Sequence, residues 1–427
     1  MAQGSIIGYD INPEFCQISY YNELNQEPET LETSSDGGII PLEMNYYKGQ
    51  WTFGKHARRM GTVKGSESIT DLLDKATKKE KISIGAEEFE AVFLLADFIA
   101  ETLKDYKKID YLVFTVPRID EDIRLLLKGI GQRLGIEKSN IYIEDYKESF
   151  CHYMFNQPRE LWQYESALFY CNHDVITAYM LKELKTGYKN GKETFVTVEK
   201  IADAKMEELQ AVYPVLDIDK AKAADEQFKK FIQSVFEKRM ISSVFLTGEG
   251  FENDWYSNSR RVLCYGRRAF SGNNLFSKGA CYTGISRHEI YKTGPVYLDE
   301  TKLTEQISIK TRVSGETVWY PIVSWGMHWY ESDRQIEVLL EDNKYIEIRI
   351  DSLVTGKAQV EKVSLEDFPA RKNYAVRIRV SIWFVSDRKC LITFEDMGFG
   401  EFFPSTGAKV ETMIELGGSN GQFNTLS

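Results

Sequence analysis

Apolar positions recur with two different periods along this chain, and the change of period falls near Gly294-Pro295. Before it, short apolar runs alternate with stretches of helical spacing. Residues 6–21 read as a strand, a turn at Asn12-Pro13 and a second strand. Asp36-Gly37-Gly38 marks a turn ahead of the apolar-rich stretch 39–53. Residues 86–106 carry apolar side chains at 89, 92, 93, 96, 99 and 103, which is one face of a helix. The run 111–116 has the continuous apolar character of a buried strand. Residues 120–134 predict the next helix: Ile123, Leu126, Leu127, Ile130 and Leu134 share a face, acids occupy the first turn, and Gly135 follows the end. A short strand at 141–143, a helix at 145–155 and a strand pair within 167–184 come next. Residues 200–240 read as mostly helical, 244–246 as a buried strand ending at Gly248, and 273–282 as a helix despite Gly279. This alternation implies an α/β architecture with partly parallel sheets.

Beyond Gly294-Pro295 the period is two. Ile346, Ile348 and Ile350 alternate with Tyr345, Glu347 and Arg349, and Val376, Ile378, Val380, Ile382 and Phe384 alternate with Arg377, Arg379, Ser381 and Trp383. Strands with one buried face show this pattern, so 305–404 is expected to form an antiparallel β-sandwich. The stretch 417–427 is rich in Gly, Ser and Asn and is expected to be a disordered tail.

Composition narrows the function classes. The 427 residues are 43% hydrophobic and 27% charged, a globular balance sufficient for roughly two to four domains. No apolar run approaches the roughly 20 residues that span a bilayer, and residues 1–5 lack a basic or apolar leader, so a cytoplasmic protein without a membrane partner is expected. Six scattered cysteines, at 16, 151, 171, 264, 281 and 390, have no C-x-x-C spacing and fit a reducing compartment. The net charge of −11 argues against nucleic acid as a partner. Arg260, Arg261, Arg267 and Arg268 form one candidate basic patch, read as a solvated or ion-paired helix face.

Several segments, in collinear order over most of 5–400, resemble the DnaK-type heat-shock chaperones and the wider actin-like ATPase superfamily. Ile6-Ile7-Gly8-Tyr9-Asp10 is similar to that superfamily's opening phosphate strand. Trp51-Thr52-Phe53-Gly54 with Ala57 resembles the chaperones' hydrophobic-Gly-x-x-Ala segment. Phe114-Thr115-Val116-Pro117, the Arg-bearing helix after it and Gly135-Ile136 resemble their Thr-Val-Pro strand and following helix. Glu144-Asp145 stands where they carry Asn-Glu-Pro. Val244-Phe245-Leu246-Thr247-Gly248 resembles the adenosine-loop strand, and Ser277-Lys278-Gly279-Ala280-Cys281 the Gly-Ala-Ala helix behind it. Residues 335–340 and 364–394 resemble the peptide-binding β-sandwich. A bacterial family of no assigned function is similar in arrangement.

The resemblance implies an α/β actin-like ATPase fold of two ribonuclease-H-like halves, then an all-β sandwich without a helical lid, since too few residues follow. The boundaries expected are 1–165 and 166–293 for the two actin-like subdomains, the second shortened, 294–304 for a linker, 305–416 for the sandwich and 417–427 for the tail. It also implies a nucleotide cleft at Asp10, Asn12, Glu144, Asn172, Asp174, Gly248, Gly250 and Gly279.

The residues in that cleft conflict with phosphate binding. Such hairpins use glycines for close backbone approach and amides as donors, with two aspartates to place metal and water. Here the first turn reads Asn12-Pro13-Glu14; proline has no amide hydrogen, and Glu14 would repel a phosphate by about 4 kcal/mol at roughly 4 Å and an effective dielectric near 20. The second reads Phe169-Tyr170-Cys171-Asn172-His173-Asp174, with no glycine and with Tyr170 where the second aspartate belongs. Thr247-Gly248-Glu249-Gly250 keeps two glycines, but too few residues separate 184 from 244 for a full adenine-closing subdomain. ATP hydrolysis is therefore not expected. The expectation is a non-catalytic, DnaK-like pseudo-ATPase without cofactor that binds a protein or peptide. Its alternative is a chaperone with diverged loops that still binds ATP and magnesium and couples them to peptide binding.

Other constellations are weaker. Cys151-His152 and Cys171-x-His173 match no standard metal spacing, so no metal is expected, and no G-x-S-x-G elbow occurs. Trp319, Trp325, Trp329 and Trp383 fall in the β region; Trp325, Trp329 and Trp383 are the expected partner-binding aromatics, and Trp383 lies opposite the Ile378/Val380/Ile382 face.

Overall fold

A computed structural model of the chain describes residues 5–31, 38–187, 194–212, 217–251, 253–288, 294–313, 315–341, 345–369 and 375–417. Asp36 and Gly37 of the expected turn, and the expected tail beyond Gly417, lie outside the described residues. The chain divides into two compact units, Met1–Lys182 with Val198–Thr293, and Glu183–Thr197 with Gly294–Ser427.

The first unit holds two sheets of like connectivity. In the first, β1 (Ser5–Ile11) forms a hairpin with β2 (Phe15–Asn22), and β3 (Glu27–Thr30) adds outside β2. The chain returns through α1 (Ala91–Thr102) to β4 (Ile109–Val116), parallel to β1, and through α2 (Glu121–Arg133) to β5 (Ile141–Asp145), parallel to β4. Helix α3 (Tyr146–Phe155) follows directly. The second sheet repeats the plan. A hairpin of β6 (Glu165–Asn172) and β7 (Val175–Glu183) is flanked by β8 (Phe195–Lys205). Helix α4 (Ile218–Phe236) crosses to β9 (Ile241–Thr247), parallel to β6, then α5 (Ser257–Leu263) leads to β10 (Arg268–Ser271) and α6 (Leu275–His288). In both sheets the first strand is central, its hairpin partner on one side and two parallel strands on the other. Burial explains the apolar runs: Ile7, Tyr9, Ile11, Leu112 and Phe114 are fully covered in the first core, and Ala167, Phe169 and Val244 in the second.

Two expectations about elements need correction. Residues 86–106 are not all helix: Lys81–Ile84 and Glu87–Glu90 form a hairpin, and the helix begins at Ala91. Likewise 200–240 opens as strand, because β8 runs to Lys205 beside β7 and its Ile201 and Ala204 pack on the second core. Lys200, Ala202 and Lys205 favour helix locally, but sheet pairing overrides a propensity of tenths of a kcal/mol. After one helical turn at Leu209–Val212, the long helix starts at Asp217, whose carboxylate caps the amides of Asp219 and Lys220.

Helix α6 ties the two halves together. It packs on β1 so closely that a Cβ on Gly8 would lie 2.1 Å from the Ser277 carbonyl oxygen. A Cβ on Gly279 would lie 2.0 Å from the Ser149 carbonyl oxygen on α3. The hydroxyls of Ser19 and Ser277 meet at 2.8 Å in the same seam.

In the second unit, two four-stranded antiparallel sheets enclose one core. One orders β13 (Glu316–Val323), β12 (Glu305–Val313), β15 (Tyr345–Ser352) and β16 (Ala358–Ser364); the other orders β14 (Arg334–Glu341), β17 (Ala375–Ser386), β18 (Lys389–Asp396) and β19 (Lys409–Glu415). Ile307, Ile309 and Ile348 face Val380, Ile392 and Phe394 across the core. The segment 294–304, expected as a linker, instead carries β11 (Val296–Tyr297), parallel to Phe195 and Val196. Phe195 also packs with Leu298, Leu353 and Trp325, which brings 183–197 into this unit rather than into the second α/β half.

Because Gly279 has no space for a methyl, Gly279→Ala should destabilise the first unit by about 1–3 kcal/mol through overpacking. Gly129, exposed inside α2 with nothing within 4 Å of its would-be Cβ, should gain up to about 1 kcal/mol as alanine. Urea midpoints of both variants check the pair; equal effects would contradict the proposed seam.

Candidate functional site

The site begins where the central strands of the two halves end. Asp10, at the end of β1, is buried, and the Tyr146 hydroxyl donates to its Oδ1 at 2.8 Å. Tyr146 is the first residue of α3 and Phe276 the second of α6. Their rings stack face to face, centroids 3.7 Å apart and planes 7° from parallel. Tyr170, on β6, packs edge-on against both, at 5.3 and 5.6 Å. The space left among Asp10, Phe15, Tyr146, Tyr170, Gly248 and Phe276 is about 10 Å³, room for about one water. Burial raises the Asp10 carboxyl pKa to about 7, against the lowering effect of the Tyr146 hydrogen bond.

The backbone donors around this plug already have acceptors. Asn12 Oδ1 accepts from the amides of Glu14 and Phe15, both at 2.9 Å. The Gly248 amide donates to Asn273 Oδ1 at 3.0 Å. The glycines of this loop serve packing: a Cβ on Gly248 would lie 2.1 Å from the Cys171 carbonyl oxygen, and one on Gly250 would lie 2.1 Å from its Sγ. Gly279 belongs to the α3–α6 seam instead.

The remaining expected cleft residues point elsewhere. Asn172 is exposed at the end of β6, and Asp174 faces Lys205 at 3.9 Å and Gln210 at 3.3 Å. Glu144 is buried beside Ser149 Oγ, 2.5 Å away, and does not line the plug; its Oε2 has no hydrogen-bond partner. Burial, then the neighbouring Glu148 charge, pushes its carboxyl well above the usual range. Sequence reasoning flagged Tyr170 but missed Tyr146, Phe276 and Glu249. It also missed the contact of His173 with Glu14, which joins the tips of the two hairpins across 159 residues of chain. Cys171 Sγ donates to the His173 carbonyl oxygen at 3.6 Å.

In the second unit the tryptophans divide. Trp325 donates to the Asp351 carbonyl oxygen at 3.2 Å and meets Phe195 edge-on, and Trp329 packs against the sandwich core. Trp383 is 52% exposed; register places it beside Leu391, and Leu391 beside Met413, itself 53% exposed. In the first unit's basic cluster, Arg260 pairs with Asp254, Arg268 with Glu160 at 3.6 Å, and Arg267 lies over the Phe236 ring.

The chain is thus an α/β unit built from two like sheets, with a plugged junction, together with a β-sandwich unit. Residues 27–300 match the C-terminal region of the family of unknown function DUF5716, and the chain belongs to that family. Residues 302–416 match a domain of unknown function, DUF8552. No curated protein matches the chain. No helix among the described residues is long and apolar enough to cross a membrane.

The Asp10 carboxyl should tilt stability with pH. It stays protonated in the folded protein to about pH 7, and in the unfolded chain only to about pH 4. Between those values the folded state binds more protons, so stability present below about pH 4 is lost as pH rises toward 7. Asp10→Asn keeps an acceptor for Tyr146 and should flatten this slope in urea unfolding across the window; an unchanged slope would assign it to other groups.

Proposed function

We propose that this chain is a non-catalytic relative of the DnaK-type and actin-like ATPases, a cytoplasmic scaffold that binds a protein or peptide partner without a nucleotide cofactor. The shared order of the two sheets supports the ancestry. One observation supports an absence of that chemistry: the Tyr146–Phe276 stack, closed by Tyr170, fills the junction beside Asp10. A triphosphate does not fit the residues present. It would have to displace buried rings worth roughly 1.5–3 kcal/mol each. It would also have to take over the amides held by Asn12 and Asn273, beside the carboxylates of Glu14 and Glu249. Phosphoryl transfer depends on positioning and electrostatic stabilisation, and neither survives here.

Partner binding is best supported on the outer face of the β14–β17–β18–β19 sheet. Trp383, Leu391 and Met413 form a row across three strands, and Val385 extends it. An exposed tryptophan among apolar neighbours is the composition of an interface anchor. Titration of the purified protein with Mg-ATP by calorimetry should give no binding heat. Micromolar affinity would overturn this reading in favour of nucleotide-regulated peptide binding. Trp383→Ser should change folding stability by less than about 0.5 kcal/mol while abolishing partner capture in a pull-down; retained capture would remove that face from the proposal.

A further inference from the structure

We propose that Glu14, His173 and Glu249 form a binding site for a divalent cation of the zinc type, which would pin three loops of the first unit together. Each residue offers one ligand atom, and the three atoms lie within 4.8 Å of one another. They come from three separate turns: Glu14 between β1 and β2, His173 between β6 and β7, and Glu249 in the turn after β9. The facing atoms of the first pair are His173 Nε2 and Glu14 Oε1. The side chains of His173 and Glu14 are 51% and 44% exposed, so an ion has a path in.

The donor chemistry selects the ion. One imidazole nitrogen with two carboxylate oxygens suits zinc and its neighbours, whereas calcium and magnesium favour all-oxygen shells with more ligands. Three protein ligands leave the fourth position of a tetrahedral ion for water or a partner's side chain. Charge favours occupancy as well. Two carboxylates converge on one point with Asp174 on the same hairpin tip; the Arg58 guanidinium, paired with Glu43 at 2.7 Å, also acts electrostatically on Glu249 and Glu14 and offsets part of that charge.

The backbone under the ligands is already set. Gly250, next to Glu249, is pressed onto Cys171 Sγ, and that thiol donates to the His173 carbonyl oxygen. Two of the three ligands are thus positioned by one buried residue before any ion arrives, which lowers the ordering cost of binding. The inference rests on this geometry alone and holds whether or not the plugged junction descends from a nucleotide cleft.

The test is calorimetric titration of metal-stripped full-length protein with ZnCl2, beside MgCl2, for the wild type, His173→Asn and Glu249→Gln. Asparagine tolerates the left-handed backbone of His173 (φ 52°), so this variant should fold normally, which its thermal midpoint checks. Expected are one zinc equivalent in the wild type, no magnesium response, and an affinity loss of at least about tenfold in each variant. Cobalt loading should show a spectrum without a thiolate-to-metal band. No zinc binding by the wild type, undiminished binding in both variants, or a thiolate band would each overturn the proposal.

Discussion

Helix α6 can lie on β1 and against α3 only because Gly8 and Gly279 carry no side chain at the two points of contact, where a methyl would meet carbonyl oxygens at 2.1 and 2.0 Å. That crossing is the constraint on which the first unit depends. It fixes the register of the second half on the first, and so decides what the amino ends of α3 and α6 bring together. Phe276 arrives at Tyr146 as a direct result, and the stacked pair closes the junction that two such sheets would otherwise leave open. The close backbone approach and the plug are one arrangement seen at its middle and at its end.

Around the plug, polar groups are satisfied internally. Asn12 holds the amides of its own turn, Asn273 holds Gly248, and Tyr146 holds Asp10. A buried polar group without a partner costs about 1–3 kcal/mol, so this pairing stabilises the closed state and removes the donors that an anion would use. The tips of the hairpins lie nearer the surface. Glu14 and His173 are exposed and Glu249 half-buried, and the three converge from distant parts of the chain. The proposed loss of nucleotide chemistry and the proposed cation site therefore draw on the same loops for different reasons: the inner residues are closed by aromatic packing, and the outer ones are gathered by it.

Much of the fold was legible because period and turn chemistry are local. The alternation of Ile346 to Ile350 and of Val376 to Phe384 identified strands with one buried face, and Asp120 with its following acids marked the start of α2, where it caps Ile123. The misses were also physical. Residues 200–205 have helix-forming composition but pair with β7, and Val296-Tyr297 looks like connecting chain until Phe195 and Val196 supply an edge. At the site, Pro13, Glu14 and Tyr170 already carried chemistry unsuited to phosphate binding. Nothing in the sequence showed that Tyr146 and Phe276 touch, nor that Gly248, Gly250 and Gly279 are kept for packing against Cys171 and Ser149 rather than for approach to a ligand.

The sequence by itself determined what depends on neighbours in the chain: the types of most elements, the change from mixed α/β to all-β near residue 294, and the absence of glycine in the second hairpin turn. Tertiary structure alone decided the plug and the meeting of Glu14 with His173 and Glu249. The Tyr146–Phe276 stack and the Glu14–His173 contact join residues more than 100 positions apart, and no periodicity or local propensity encodes such a meeting.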